Sequence, residues 1–269
     1  MAQYAISDIH GYLDRMFDVL RIANFDWDND ELYILGDIID RGPQSAEAFY
    51  WAVEDAPENV HFLLGNHEDM AYKGLFSISD YTSVNDVLYE DLWSYNGGYK
   101  TLNDCQQFYG SRWCHKAAAW IKRLPLYYII DNKLLIHAGL CEEKFIISGD
   151  RTEDSRRKEY INIFGIETPQ WSQHLLWIRE SWLLNQNDYP YDIIFGHTPT
   201  TLNWMKDIRF LYDLDLDNRK KILCQGDPGD IVRMSGFDND KVRYCIDTGR
   251  ERMGLLRLDD YMEFYSDLE

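Results

Sequence analysis

An α/β fold is what this sequence predicts, and three observations carry it. The first third runs strand, loop and helix three times over. Its apolar runs are short and end on turns holding Gly, Asp or His. The segments between them carry apolar residues at helical spacing. Units of this kind make parallel strands through right-handed crossovers, with the loops gathered at the strands' carboxyl ends.

Taken in order, residues 2–6 form a strand that enters Ser7-Asp8-Ile9-His10-Gly11. Leu13, Met16, Phe17, Leu20 and Ala23 then predict an amphipathic helix within 12–25. Residues 32–35 are a second strand, ending at Gly36-Asp37, and Ala46, Phe49, Trp51 and Val53 predict a helix over 44–54. A third strand at 60–64 ends at Gly65-Asn66-His67-Glu68. Residues 69–123 are rich in Tyr, Trp, Asp and Asn without a strand period, so they read as helix and loop, with a turn at Asn96-Gly97-Gly98. Strands at 127–130 and 133–137 flank a hairpin turn, Asp131-Asn132. Residues 141–190 return to helix and loop, with a charged stretch at 150–159. A strand at 193–195 ends at Gly196-His197-Thr198. Residues 203–240 show no period, only an acidic run (Asp213, Asp215, Asp217) and the turn residues Gly226, Pro228 and Gly229. Strands at 242–246, 254–258 and 261–265 close the chain. No linker marks a boundary, so one domain over 1–269 is expected, with insertions at about 69–123 and 203–240.

Composition narrows the function. The 269 residues carry 27 Lys+Arg against 46 Asp+Glu, a net charge of −19. A phosphate backbone or an anionic lipid surface would meet net repulsion, so neither nucleic acid nor membrane is an expected partner. No apolar run reaches the length of a membrane span. The five cysteines form no C-x-x-C pair and read as free thiols. The expectation is a cytoplasmic protein, and the sequence sets no oligomeric state.

The chemistry sits at the strand ends. Asp8, His10, Asp37, Asn66, His67, His137 and His197 all lie at or just after an apolar run, in short segments that contain Gly. Strand ends of an α/β sheet converge on one crevice, so residues distant in sequence meet there. A mixed Asp, Asn and His set suits first-row transition metals such as Mn, Fe or Zn, with Mn the first expectation. His61, His115 and His174 lack that setting and read as surface or structural residues.

These motifs also resemble a known family. Asp8-x-His10-Gly11, Gly36-Asp37-x-x-Asp40-Arg41-Gly42, Gly65-Asn66-His67-Glu68, His137-Ala138-Gly139 and Gly196-His197-Thr198 are similar to those of the calcineurin-like metallophosphoesterases. Order and approximate spacing agree from Asp8 to Gly249. Asp40 before Arg41 resembles the phosphoprotein phosphatase branch, the serine/threonine phosphatases of bacteria and phages. The resemblance implies a central mixed β-sandwich flanked by helices in four layers, with a helical cap-like insertion. It implies two divalent metal ions: Asp8 and His10 on the first, Asn66, His137 and His197 on the second, and Asp37 on both. Arg41 and Arg179, with Asn66, would bind the substrate phosphate. His67, oriented by Asp40, would serve the leaving group as general acid. The implied reaction is attack on phosphorus by a hydroxide held between the ions. The expected substrate is phosphoserine or phosphothreonine in a protein. The alternative is a small phosphoester, the symmetrical dinucleoside tetraphosphate. Ser7 stands where many relatives have Gly, with little expected effect.

Overall fold

Two mixed sheets form the centre of the protein, in a computed structural model that describes residues 1–77, 92–140, 175–202 and 222–267. The first sheet is built from Gln3–Ile6 (β1), Glu31–Ile34 (β2), Val60–Phe62 (β3), Gly254–Arg257 (β10) and Glu263–Tyr265 (β11), in the order β11-β10-β1-β2-β3. The second holds Tyr127–Ile130 (β4), Lys133–Ile136 (β5), Asp192–Phe195 (β6), Leu223–Gln225 (β7), Val232–Ser235 (β8) and Arg243–Cys245 (β9), in the order β4-β5-β6-β9-β8-β7. Within the first, β1, β2 and β3 run parallel. Within the second, β5, β6 and β9 do. The remaining pairs are antiparallel.

Side chains alternate between the two faces of a strand, and here both faces are buried. Ala5, Tyr33 and Leu256 of the first sheet meet Leu135, Ile194 and Tyr244 of the second in one cluster between the sheets. Their neighbours Tyr4, Ile6, Leu32, Ile34 and Leu255 face the opposite way, into the helices. Leu134, Ile136, Ile193, Phe195 and Cys245 face the far side of the second sheet. The apolar runs of the sequence are therefore inner strands covered on both sides. Leu135 is fully buried between the sheets, so Leu135→Ala is expected to cost about 2–5 kcal/mol of stability. Denaturant melts read this directly; a cost below about 1 kcal/mol would mean that the intersheet space collapses around the deletion.

The helices cover the first sheet. Leu13–Ile22 (α1) buries Leu13, Met16, Val19 and Leu20, as its periodicity predicts. Ser45–Tyr50 (α2) passes into a π-helical turn, Trp51–Asp55, instead of running on as one helix over 44–54. At that junction two adjacent aromatics both pack inward, Tyr50 on Tyr109 and Trp113, and Trp51 on Phe17 and Phe62. Asn66–Ser77 (α3), Tyr99–Phe108 (α4) and Ser111–Ile121 (α5) complete this layer, and Glu180–Leu183 (α6) lies on the second sheet. The turn expected at Asn96-Gly97-Gly98 is a kink within a π-helical stretch, Ser94–Gly98, with Gly97 at φ +107°. A Cβ on Gly97 would lie 3.0 Å from the Arg41 backbone nitrogen, so the glycine lets this segment approach the loop after β2.

Residues 222–240, unreadable as sequence, contain β7 and β8, which extend the second sheet. The acidic run Asp213, Asp215 and Asp217, the charged stretch at 150–159 and His174 lie outside the described residues. None of the described helices is long and apolar enough to cross a membrane.

Candidate active site

All six parallel strands end on polar residues that meet at one end of the sandwich. From β1 come Asp8 and His10, from β2 Asp37, Asp40 and Arg41, and from β3 Asn66 and His67. From β5 comes His137, from β6 His197 and from β9 Asp247. The two halves are stitched together by hydrogen bonds. The His197 N–H donates to Asp8 Oδ2 at 2.8 Å, and the His137 ring bonds the Leu35 carbonyl at 2.7 Å.

The backbone here is strained. Asp8, His10, Asp37, Asp40, Arg41 and His197 all have φ between +45° and +73°, a conformation costing non-glycine residues on the order of 1–2 kcal/mol. Glu68 restrains the loop that holds three of them. Its buried carboxylate accepts the N–H groups of Asp37 (2.8 Å), Ile38 (2.9 Å), Ile39 (3.3 Å) and Gly65 (3.1 Å). The Gly65-Asn66-His67-Glu68 motif carries no sign of this role, because the partners of Glu68 are backbone groups.

Asp37 lies at the centre. Its Oδ2 is 3.6 Å from His10 Nε2 and 3.9 Å from His67 Nε2, and its Oδ1 is 3.5 Å from His137 Nε2. The ligating atoms of His10, Asp37 and His67 lie within 4.8 Å of one another, as do those of Asp37, His137 and His197. Asp37 belongs to both groups. The first group differs from the expected set, since His67 stands in it and Asp8 does not. Asp8 remains beside it, with Oδ1 at 3.9 Å from His10 Nε2.

Backbone contacts fix the histidine tautomers. The His10 ring bonds the Ile39 carbonyl through Nδ1 (2.9 Å), His137 bonds Leu35 the same way, and His197 bonds the Trp177 backbone. A donating Nδ1–H leaves the Nε2 lone pair facing inward. His197 Nε2 and His67 Nε2 are buried without a hydrogen-bond partner among the described residues. His137 Nε2 faces the Asn66 carboxamide oxygen at 2.9 Å. Burial, joined by neighbouring cations, holds the His10, His67 and His197 rings well below the usual histidine range.

His67 is held from behind. Its Nδ1 lies 2.7 Å from Asp40 Oδ2. Asp40 also accepts the Trp93 indole N–H (2.9 Å) and the Thr101 hydroxyl (2.6 Å), and its own N–H donates to Ser45 Oγ (2.7 Å). Trp93 and Thr101 come from the stretch that the sequence reads as helix and loop, where nothing points to contact with Asp40. Around this pair stand three cations. Arg41 donates to His10 Nε2 at 2.6 Å, Arg179 interacts with Asp8, Asp247 and Asp37, and Arg250 reaches His67 through its charge. The Ser7 hydroxyl donates to Asp8 Oδ2 at 2.5 Å.

These residues fit divalent cations. The inward lone pairs, the two orphaned Nε2 atoms and the carboxylate between them make a mixed nitrogen and oxygen donor set. Electrostatics agrees. Burial and then the Asp8 charge push Asp37 and Asp247 well above the usual carboxylate range, and burial pushes Asp40 to about 7 and Glu68 to about 8. Carboxylates raised in the folded state stabilise it fully only below their unfolded values near 4, and that contribution is lost as pH rises through the folded values. Metal-free protein is therefore expected to lose stability between about pH 5 and pH 8. Added Mn²⁺ is expected to raise Tm more at pH 8 than at pH 5. Equal Mn²⁺ shifts at both pH values in thermal melts would count against cation binding at these carboxylates.

The sequence match decides the family. Residues 1–232 match the calcineurin-like phosphoesterases. The chain belongs to that family. Relatives include the symmetrical bis(5'-nucleosyl)-tetraphosphatase of Neisseria meningitidis, 27% identical over 169 residues, covering 61% of this chain and 54% of that protein. The protein of that name from Chromobacterium violaceum is 26% identical over 245 residues, covering 86% and 74%. The chain spans about half the length of the Neisseria relative. Among solved structures, a proposed diadenosine tetraphosphatase superimposes over 98% of this chain and 91% of its own, with a TM-score of 0.51 and 15% identity. A mutant cold-active protein tyrosine phosphatase gives a TM-score of 0.51 and 15% identity over 98% and 80%. These two likenesses speak for the fold. The chain thus belongs to a phosphoesterase family that implies divalent metal ions, and two clusters among the described residues could hold them.

Proposed function

We propose that this phosphoesterase hydrolyses a symmetrical dinucleoside tetraphosphate. The similarity to tetraphosphatases supports this reading, with one of them aligned over 86% of the chain. It reverses the order in which the sequence alone ranks the two substrates. In the proposed site, Asp8, His10 and Asp37 would hold one divalent ion, and Asp37, Asn66, His137 and His197 would hold the second. Such ions polarise a phosphoryl oxygen and supply a reactive water at neutral pH. Arg41 and Arg179 bind the transferred phosphoryl group; a planar fork matches two of its oxygens. Asp40 keeps the His67 Nδ1–H in place, so Nε2 faces the leaving oxygen. The four described cysteines are free thiols, which supports a reducing, cytoplasmic setting.

A second reading, hydrolysis of phosphoserine or phosphothreonine in a protein, rests on the His67–Asp40 pair at 2.7 Å. An alkoxide leaving group needs a proton more than a nucleoside diphosphate does. The deciding experiment resupplies metal-stripped protein with Mn²⁺ and compares kcat/KM for diadenosine tetraphosphate with that for a phosphothreonine peptide. The dinucleotide is expected to win; a clear preference for the peptide would overturn the proposal in favour of the second reading.

A further inference from the structure

Two hydroxyls behind Asp40 close a ring of hydrogen bonds that the proposed reaction has not used. The Asp40 N–H donates to Ser45 Oγ at 2.7 Å. Ser45 Oγ lies 2.7 Å from Thr101 Oγ1, which in turn lies 2.6 Å from Asp40 Oδ1. The ring thus leaves Asp40 through its backbone and returns to its carboxylate. It joins the loop after β2 to the first residue of α2 and the first turn of α4, and all three residues are buried.

Donor and acceptor rules give the ring one direction. A backbone N–H only donates, so Ser45 Oγ accepts there and has its own hydrogen to give. Among the described residues its other partner is Thr101. Thr101 Oγ1 therefore receives that hydrogen and turns its own on Asp40 Oδ1. Oδ2 is constrained in the same way. The Trp93 indole only donates, and it reaches Oδ2 at 2.9 Å. A Cβ on Gly98 would overlap that indole, so glycine there lets the helical segment close on Trp93. One lone pair of Oδ2 is left for His67 Nδ1, at 2.7 Å. With donors on every other side, the hydrogen between Asp40 and His67 belongs to Nδ1, and Nε2 faces the site. Without Thr101, Oδ1 would be a buried acceptor with no donor, and the carboxylate would turn away from His67 to find one. We propose that Thr101 is a positioning residue: by holding Asp40 Oδ1 it fixes the carboxylate that aims His67 Nε2 at the leaving oxygen. This rests on the proposed role of His67 as proton donor.

Thr101→Val removes the hydroxyl and keeps the branched shape, and Thr101→Ser keeps the hydroxyl. In the Mn²⁺-loaded enzyme, Thr101→Val is expected to lower kcat on phosphoserine about tenfold, a part of what a positioned proton donor supplies. On p-nitrophenyl phosphate the loss is expected to stay within about threefold, and Thr101→Ser is expected to restore phosphoserine turnover. A merely structural role would lower both substrates alike. Proton NMR of the full chain loaded with diamagnetic Zn²⁺ gives a second readout. The His67 Nδ1–H resonance is identified by its loss in His67→Asn. It is expected to shift or be lost to exchange in Thr101→Val and to return in Thr101→Ser. An unchanged resonance in Thr101→Val would overturn the proposal, as would a wild-type spectrum that lacks it. Equal kcat losses on both substrates in Thr101→Val, beside a split in His67→Asn, would overturn it too. If His67→Asn itself shows no split, the acid reading fails, and the resonance alone then upholds or overturns the positioning by Thr101. Thermal melts check that the variants fold.

Discussion

Asp37→Asn is expected to lower kcat by at least about 10²-fold, because one carboxylate serves both cation groups. Oδ1 faces His137 and also accepts the His67 N–H at 3.0 Å, while Oδ2 faces His10 and His67. Asparagine keeps one acceptor and turns the other into a donor, which faces either an inward lone pair or a cation. A second readout separates ligand loss from misfolding. Without metal, Asp37 sits against burial and the Asp8 charge, which disfavour its ionised form. Removing the charge is therefore expected to raise Tm of the metal-free protein at pH 8. With Mn²⁺ present, the wild type gains Tm and the variant gains less. Full activity in the variant, or an undiminished Mn²⁺ shift, would sink the assignment of Asp37 as a shared ligand.

The same residue shows what the sequence makes legible. Short apolar strands that end on Asp, Asn or His were readable because both faces of β1, β2, β5 and β6 are buried and the strands leave no polar alternation to confuse them. Convergence of their ends follows from topology, so the sequence alone groups Asp37, His137 and His197 in one crevice. What escaped was support from elsewhere. β7 is an exposed edge strand of three residues, too short to show a period. Glu68 and Ser7 act on backbone and on a neighbouring carboxylate, contacts that leave no spacing signature. Trp93 and Thr101 reach Asp40 across 53 and 61 residues of chain, and the sequence reads their segment only as helix and loop with a turn at Asn96-Gly97-Gly98. The β2 loop illustrates why both kinds of residue are needed. Its left-handed backbone at Asp37, Asp40 and Arg41 stores strain, and the Glu68 and Asp40 hydrogen bonds hold it in place.

Asp40→Asn and His67→Asn are expected to lower kcat by about 10²–10⁴-fold on phosphoserine, the range that a positioned proton donor supplies. On p-nitrophenyl phosphate, whose phenolate leaves without a proton, the loss is expected to stay within about tenfold. Geometry gives the reason for the split. Asp40 receives three side-chain donors, so its carboxylate is arranged as an acceptor, and the His67 Nδ1–H completes the set. Burial, joined by the charges of Arg41, His137, Arg179 and Arg250, holds the His67 ring well below the usual histidine range. A bound phosphate dianion offsets those cations and raises the ring's proton affinity. In its proposed role the ring would then bring its proton to the leaving oxygen, with the Asp40 charge stabilising the imidazolium. Asparagine at 40 can still accept the Nδ1–H and Trp93 bonds through its one carbonyl oxygen, but it brings no charge and turns the acceptor that faces the Thr101 hydroxyl into a donor. A loss shared equally by both leaving groups would assign the pair to phosphate binding and remove its role as acid. A large loss on phosphoserine beside a small one on diadenosine tetraphosphate would show that the same dyad serves alcohol leaving groups, whichever substrate the enzyme prefers.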